Sequence, residues 1–595
     1  MFVSKQHMEI LLKIGGSTTV DNLTSIARLP RNRVLKNVME LHVMGLVNRE
    51  GDIIRVTGAG ETLIDAWKLV ERRDFEDPWI NSAIIYALQV GASTGYLPNE
   101  WVKLLEPRGL TSKGEVVEAG KYVIESYRKA RPLIYITPEI AEFLTGLPNG
   151  PAFYDALVSY RDSLGSGNNV IHALEASRII KISPPIRGKA TYVVTQVGRK
   201  VKDALMRMPI YSSVILIDEK TVEALEKEYL EEWEERRFEE LNLRHGRRTT
   251  DAGRSLIEGY TAQTASLSRI LPIHLTREDV KVLKTLSVLS SKEAELCVIE
   301  KIKEDSGIED AAERLHMLEA VGLVRRLEVK GKDTYALTEE GKEVVKKFGE
   351  LGKDISSDAV KACSYAISGE PPSPQWVEKA KELGLVSLDI TGRGEYLLNL
   401  STRMRRVPFL MHHEAYLLHI IPAKGMPLED AVRKVGESLG KSSEEVRRFF
   451  GYAEFKGYLE ILPNDYIVMT DLGKIMKDVI TLGKTEELIK ARISITPTMF
   501  KVLHIINSNI KELRKVWSKG DAKRVVNEEA AVIYNNLKGI TSVSLEEIKK
   551  AVTMLRGFGL LGRTGITEAG TRLLFLGELL QKMSSELRRT YFSEE

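Results

Sequence analysis

Apolar and polar positions along the chain follow two periods, and the same order of periods returns again and again. In the first stretch, helical spacing covers Lys5–Ile14, Val20–Ala27 and Arg31–His42, and a hairpin then covers 46–56. A fourth helical pattern follows, opened by Thr57, with Gly60 three residues on and the apolar Leu63 three beyond that. This Thr-x-x-Gly-x-x-apolar signature occurs eight times, starting at Thr57, Thr111, Thr195, Thr250, Thr338, Thr391, Thr470 and Thr567. Its glycines are Gly60, Gly114, Gly198, Gly253, Gly341, Gly394, Gly473 and Gly570. A threonine ending an extended run can cap the next helix with its hydroxyl. Acids after several of the caps, Asp251, Glu339, Asp471 and Glu568, suit a helix N-terminus. Glycine inside a helix costs about 1 kcal/mol against alanine, so its recurrence predicts another backbone passing close by.

A fixed self-similar signature marks an array of small units. Each unit leaves its last amphipathic helix through a Gly-Leu step, as at Gly45, Gly109, Gly322, Gly384 and Gly559, which suits a left-handed helix end. The first, third, fifth and seventh units carry a hairpin before the threonine, whereas the others pass to it within a few residues. Three helices, a two-stranded wing and a closing helix resemble a winged helix. The predicted fold class is therefore mainly α with small β-hairpin wings, in tandem winged-helix-related modules. The modules span 1–75, 76–132, 133–210, 211–268, 269–350, 351–407, 408–487 and 488–595. Trp101 and Trp376, Gly109 and Gly384, Arg131 and Arg406, and Thr195 and Thr470 are separated by one interval. The modules thus read as two homologous four-module halves meeting near Ser268. Two segments break the pattern: a charge-dense helix over Glu226–Arg248 and an insertion over Asn507–Gly539, each read as an exposed helix or a docking helix.

With 595 residues, 43% of them hydrophobic, the chain needs several cores. A net charge of +3 is nearly neutral for this length, so any nucleic-acid contact must be local. No apolar run has membrane-spanning length and no signal peptide is visible, which points to the cytoplasm. Two cysteines, Cys297 and Cys363, lie in apolar helical surroundings and read as buried thiols. Six glutamines among abundant Lys, Glu and Arg fit a thermophile.

Chemistry is sparse. Gly436–Ser442 is one residue short of a phosphate loop, and Ser442 with Glu445 reads better as a capping box. The His412-His413-Glu414 cluster with His419 lacks the spacing that puts two histidines on one helical face. No catalytic arrangement, metal site or cofactor is expected. Nucleic-acid binding is the leading reading, because a winged helix reads the major groove with its third helix and touches the backbone with its wing. The first module fits best, with Arg31, Asn32, Arg33 and Lys36 on the helix and Arg49 and Arg55 on the wing. The third offers Asn168, Asn169 and His172 on its helix and Lys181, Arg187 and Lys189 on its wing; the fifth offers Arg325, Arg326, Lys330 and Lys332. Glu100, Glu378, Glu546 and Glu547 make the wingless modules poor partners for phosphate. DNA is favoured over RNA, with protein partners possible through the wingless modules. The alternative is a protein-interaction scaffold attached to transcription, chromatin or ribosomal machinery. In length, duplicated layout and motifs such as Leu337-Thr338-Glu339-Glu340-Gly341, the chain resembles a family of long archaeal and thermophilic bacterial proteins, domain of unknown function five-zero-five. That resemblance implies a tandem winged-helix fold and supplies no activity.

Overall fold

The computed structural model describes every residue except 72–74, 210–213, 265–268, 293–296, 330–331, 519–521, 538–542 and 592–595. Helices dominate, joined by short antiparallel hairpins. Among the described residues no helix is long and apolar enough to cross a membrane.

The recurring closing helix explains the signature. Thr57 is the N-cap of helix Gly58–Lys68 and its hydroxyl accepts from the Gly60 N–H. The same hydroxyl donates to the carbonyl of Gly45, where the preceding helix has turned left-handed. The Thr57 N–H donates to the Leu46 carbonyl, which lies so close to Gly60 that a Cβ there would collide with it. Thr195, Thr250, Thr338, Thr470 and Thr567 repeat this cap on Gly198, Gly253, Gly341, Gly473 and Gly570. Each of those glycines also faces a carbonyl: that of Ile179, Leu243, Leu323, Tyr458 or Leu560. One threonine therefore ties the exit of one helix to the start of the next, and the missing side chain lets the two backbones touch.

The second copy departs from this expectation. Thr111 lies in a two-residue strand, Thr111–Ser112, and its buried hydroxyl has no hydrogen-bond partner among the described residues. The cap of helix Glu118–Lys129 is Val117, without a side-chain bond, and Gly120 is the glycine pressed on a carbonyl, that of Leu110. Gly114 sits in a hairpin turn at φ +80°. The left-handed exits also include Arg178 and Asn242, which no Gly-Leu search finds.

Three-stranded sheets form in the first, third and seventh repeats, with Ile53–Val56, Thr191–Val194 and Tyr466–Met469 as central strands. The fifth has the two-stranded Val324–Val329 and Lys332–Leu337. The other repeats have two-residue hairpins or a single bridge. Two further pairings join distant segments, Ile134–Ile136 with Ile215–Ile217 and Leu410–Met411 with Ile493–Ile495.

The chain divides into two compact units. The first takes Met1–Arg269 together with Ala362–Gly392, and the second takes Ile270–Lys361 with Arg393–Glu595. The expected meeting point, Ser268, lies outside the described residues. Trp101 and Trp376 are both buried, each in an edge-to-face contact with a tyrosine, Tyr86 or Tyr365, at interplanar angles of 72°.

The expected charge-dense helix over Glu226–Arg248 is broken. Helices Glu219–Glu226 and Glu232–Glu240 flank the break, and the buried Arg244 guanidinium donates to the carbonyls of Ala224 and Lys227 there. The 507–539 insertion forms helices Ile510–Trp517 and Ala522–Leu537 that contribute Leu513, Ala530 and Ile533 to the core. Its length there reflects packing rather than solvation. Both cysteines are buried and free, and burial pushes the Cys363 thiol up to about 12.

Candidate nucleic-acid interface

Helix Arg31–Val43 starts at Pro30, whose fixed φ suits a helix entry, and buries Val34, Val38 and Leu41. The opposite face carries Arg31, Asn32, Arg33 and Lys36, all on the solvent side. Arg31 lies 3.3 Å from Asp21 and Lys36 3.8 Å from Glu40, while Asn32 accepts from the Arg33 N–H. On the adjoining hairpin Arg55 is exposed; Arg49 is half-buried and bonds the Gly51 carbonyl at 3.0 Å. Helix and hairpin thus carry the six residues anticipated for the first repeat, but Arg49 pairs with Ile54 and Arg55 with Asn48, which puts the two hairpin arginines on opposite faces.

The third repeat is arranged differently. Lys181 lies 2.6 Å from Glu370 and Lys189 2.6 Å from Glu378. Burial pulls the Lys181 ammonium down, but the Glu370 carboxylate outweighs it and leaves the group above its ordinary value. The exposed Arg187 receives Glu100 on its backbone N–H at 2.6 Å. Two of the acids that made the wingless repeats poor phosphate readers, Glu100 and Glu378, are therefore spent on this hairpin, within the first unit.

In the fifth repeat Arg325 and Lys332 are exposed, and Lys330 lies outside the described residues. Arg326 is not a surface cation. It is 5% exposed, donates to Tyr335 Oη at 2.7 Å and lies 3.4 Å from Glu547. The strand alternation turns it inward, where its tyrosine and carboxylates compensate its burial.

Ser442 and Glu445 form the expected capping box on helix Ser443–Phe455. Glu414 is buried against Lys456, and His413 stacks on Phe449 with ring centres 3.9 Å apart. Among the described residues no three metal-ligating side chains gather into a site.

Sequence reasoning missed His7, whose ring lies 2.6 Å from Glu40, and the docking acid Glu370. The capping position of His7, three residues after Ser4, was the signal for the first; nothing local marked the second.

Comparison with known proteins gives a family and no activity. The family described as "Protein of unknown function (DUF505)" matches twice in tandem, over residues 1–305 and 304–576. An uncharacterised protein of Methanocaldococcus jannaschii is 32% identical over 581 residues, covering 96% of this chain and 99% of that protein. No solved structure matches. With both halves matched and a full-length relative at this identity, the chain belongs to the DUF505 family.

Proposed function

We propose that the chain is a non-enzymatic nucleic-acid-binding protein that uses its first repeat as a winged helix. The observation carrying this reading is the solvent-facing set Arg31, Asn32, Arg33 and Lys36, with the exposed Arg55 on the neighbouring hairpin. Three helices and a three-stranded sheet support the comparison with winged-helix geometry, in which the third helix enters the major groove. Duplex DNA suits that geometry better than RNA, whose major groove is too narrow for side chains to read. The exposed Arg187, Arg325 and Lys332 add backbone contacts, whereas Lys181 and Lys189 must first leave their carboxylates. The test is fluorescence anisotropy with a duplex DNA across a salt series. Binding weakens steeply with salt, and replacing Arg31, Arg33 and Arg49 with Ala lowers the log–log slope by about 0.9 for each phosphate no longer neutralised. Absence of binding to both DNA and RNA at low salt overturns the reading.

The docking of Glu370 and Glu378 on the third hairpin favours a second reading, a scaffold whose wingless repeats recognise protein surfaces. One stoichiometric protein partner co-purifying with the full chain, together with no nucleic-acid binding, supports the scaffold.

A further inference from the structure

Helices Arg31–Val43 and Asn169–Ala176 border a cleft of about 400 Å3 within the first unit. Met44, Ala173 and Ala176 form one wall, beside a Phe2–His172 stack with ring centres 3.8 Å apart. Arg33, Lys36, Gln6 and Asn169 line the polar side. The Glu40 carboxylate is already engaged, 2.6 Å from His7 Nε2 and 3.8 Å from Lys36 Nζ. The Arg33 guanidinium makes no hydrogen bond or ion pair among the described residues. The cleft therefore offers an unpaired guanidinium and amide donors over an apolar wall, with its single carboxylate hydrogen-bonded to His7.

The second unit has a cleft of about 320 Å3 at the corresponding place, between helices Ala311–Ala320 and Ser443–Phe455. The correspondence is detailed. Ser4 caps onto His7 in the first unit and Thr276 caps onto Asp279 in the second. His7 reaches across to Glu40, and Asp279 reaches across to Arg314 at 2.8 Å. Phe2 lies on His172, and His274 packs over Gly451 and edge-on to Tyr452 at 4.8 Å. Counting back from Gly45 and Gly322, the positions of Arg33 and Lys36 hold Asp310 and Glu313. Every cation lining the second cleft is paired: Arg314 with Asp279 and Asp310, Lys441 with Glu445, Arg448 with Glu444, and Arg492 with Glu313. Duplication thus kept the opening and its frame, while only the first copy leaves a cation free to meet a ligand. The volume lies within the about 300–1,000 Å3 of small-ligand sites.

We propose that the cleft of the first unit binds a small organic anion, with its oxyanion on Arg33 and Lys36 and its carbon body against Met44, Ala173 and Ala176. Phosphate and carboxylate share the chemistry that a guanidinium recognises, so the probes separate them. The full chain is titrated calorimetrically with AMP, citrate and inorganic phosphate, without nucleic acid. AMP or citrate binds with Kd below about 1 mM; AMP alone assigns a phosphate, citrate alone a carboxylate. Arg33→Ala, which alters an exposed side chain, weakens that binding at least about tenfold, while Arg448→Ala in the second cleft leaves it within about twofold. No binding of any probe at about 10 mM, or an Arg33→Ala affinity equal to wild type, overturns the proposal. Inorganic phosphate binding as tightly as AMP overturns the organic part. The inference does not depend on DNA binding, and each titration omits the other ligand, so failure of one reading leaves the other standing.

Discussion

Gly58 and Gly60 lie two residues apart in one helical turn, and alanine has opposite effects at them. A Cβ on Gly58 meets nothing within 4 Å, whereas one on Gly60 meets the Leu46 carbonyl and Val56. Gly58→Ala raises stability by about 0.5–1 kcal/mol through the unfolded chain. Gly60→Ala lowers it by about 1–3 kcal/mol, because a backbone must move. Denaturant unfolding of the pair reads both signs, and two stabilising alanines would refute the close-approach account. A second residue-scale consequence concerns His274, buried with its ring Nδ1 accepting from the Ser357 N–H. Burial pushes it down to about 4, with Asp279 foremost among the opposing charges. The unfolded chain takes up this proton near pH 6.5 and the folded one refuses it. Its stabilisation is therefore complete above about pH 6.5 and lost as pH falls toward about 4. His316, likewise held at about 4 by burial and Arg326, acts in the same direction. His274→Gln flattens the fall in Tm between pH 7 and 5; equal slopes for variant and wild type would contradict this.

At the level of elements, the hairpin Ile180–Val194 and the segment 362–392 hold each other by charge. Lys181 and Glu370 are about three-quarters buried, at 27% and 29% side-chain exposure, so solvent screens them only in part. Glu370→Lys is expected to cost about 1 kcal/mol, and adding Lys181→Glu to recover most of it. A double-mutant cycle with no coupling would show that the segment docks by apolar contact and backbone bonds alone, such as the Thr191 hydroxyl on the Pro372 carbonyl at 2.6 Å. Elements were legible where the cause was local. Helices Lys5–Ile14 and Val20–Ala27 have the bounds that their apolar spacing predicts. The single helix expected over 226–248 was not legible, because the break depends on buried Arg244 reaching back to Ala224 and Lys227. Nor were the strand pairs 134–136 with 215–217 and 410–411 with 493–495, whose partners are far apart in the chain.

For the whole molecule, sequence copies and structural units do not coincide. The family match divides the chain at 304–305, yet the first unit is completed by Ala362–Gly392 from the second copy. A fragment of residues 1–304 therefore lacks the partners of Lys181, Lys189 and Thr191. It melts below the full chain, and a peptide spanning 362–392 added in trans raises its Tm. A fragment indifferent to the peptide would mean that the segment contributes nothing to the first unit. The candidate interface follows the same logic. The first repeat's cations were readable because they sit at a helix start and on a hairpin, both local features, whereas Arg326 and Lys181, expected as nucleic-acid contacts on their wings, are held by tertiary neighbours.

By itself, the order of apolar periods and the repeated threonine and glycine determined that helices alternate with small hairpins and that the chain is duplicated. Those are short-range matters of capping, handedness and sterics. At 111–120 the signature misled, because close approach selects glycine at Gly120 whatever residue caps the helix. Tertiary structure alone decided which charges are spent inside the molecule and which face solvent. It also decided that one copy of a duplicated cleft keeps a free guanidinium while the other neutralises itself. Such outcomes depend on residues far apart in sequence sharing one low-dielectric neighbourhood, which no local pattern specifies.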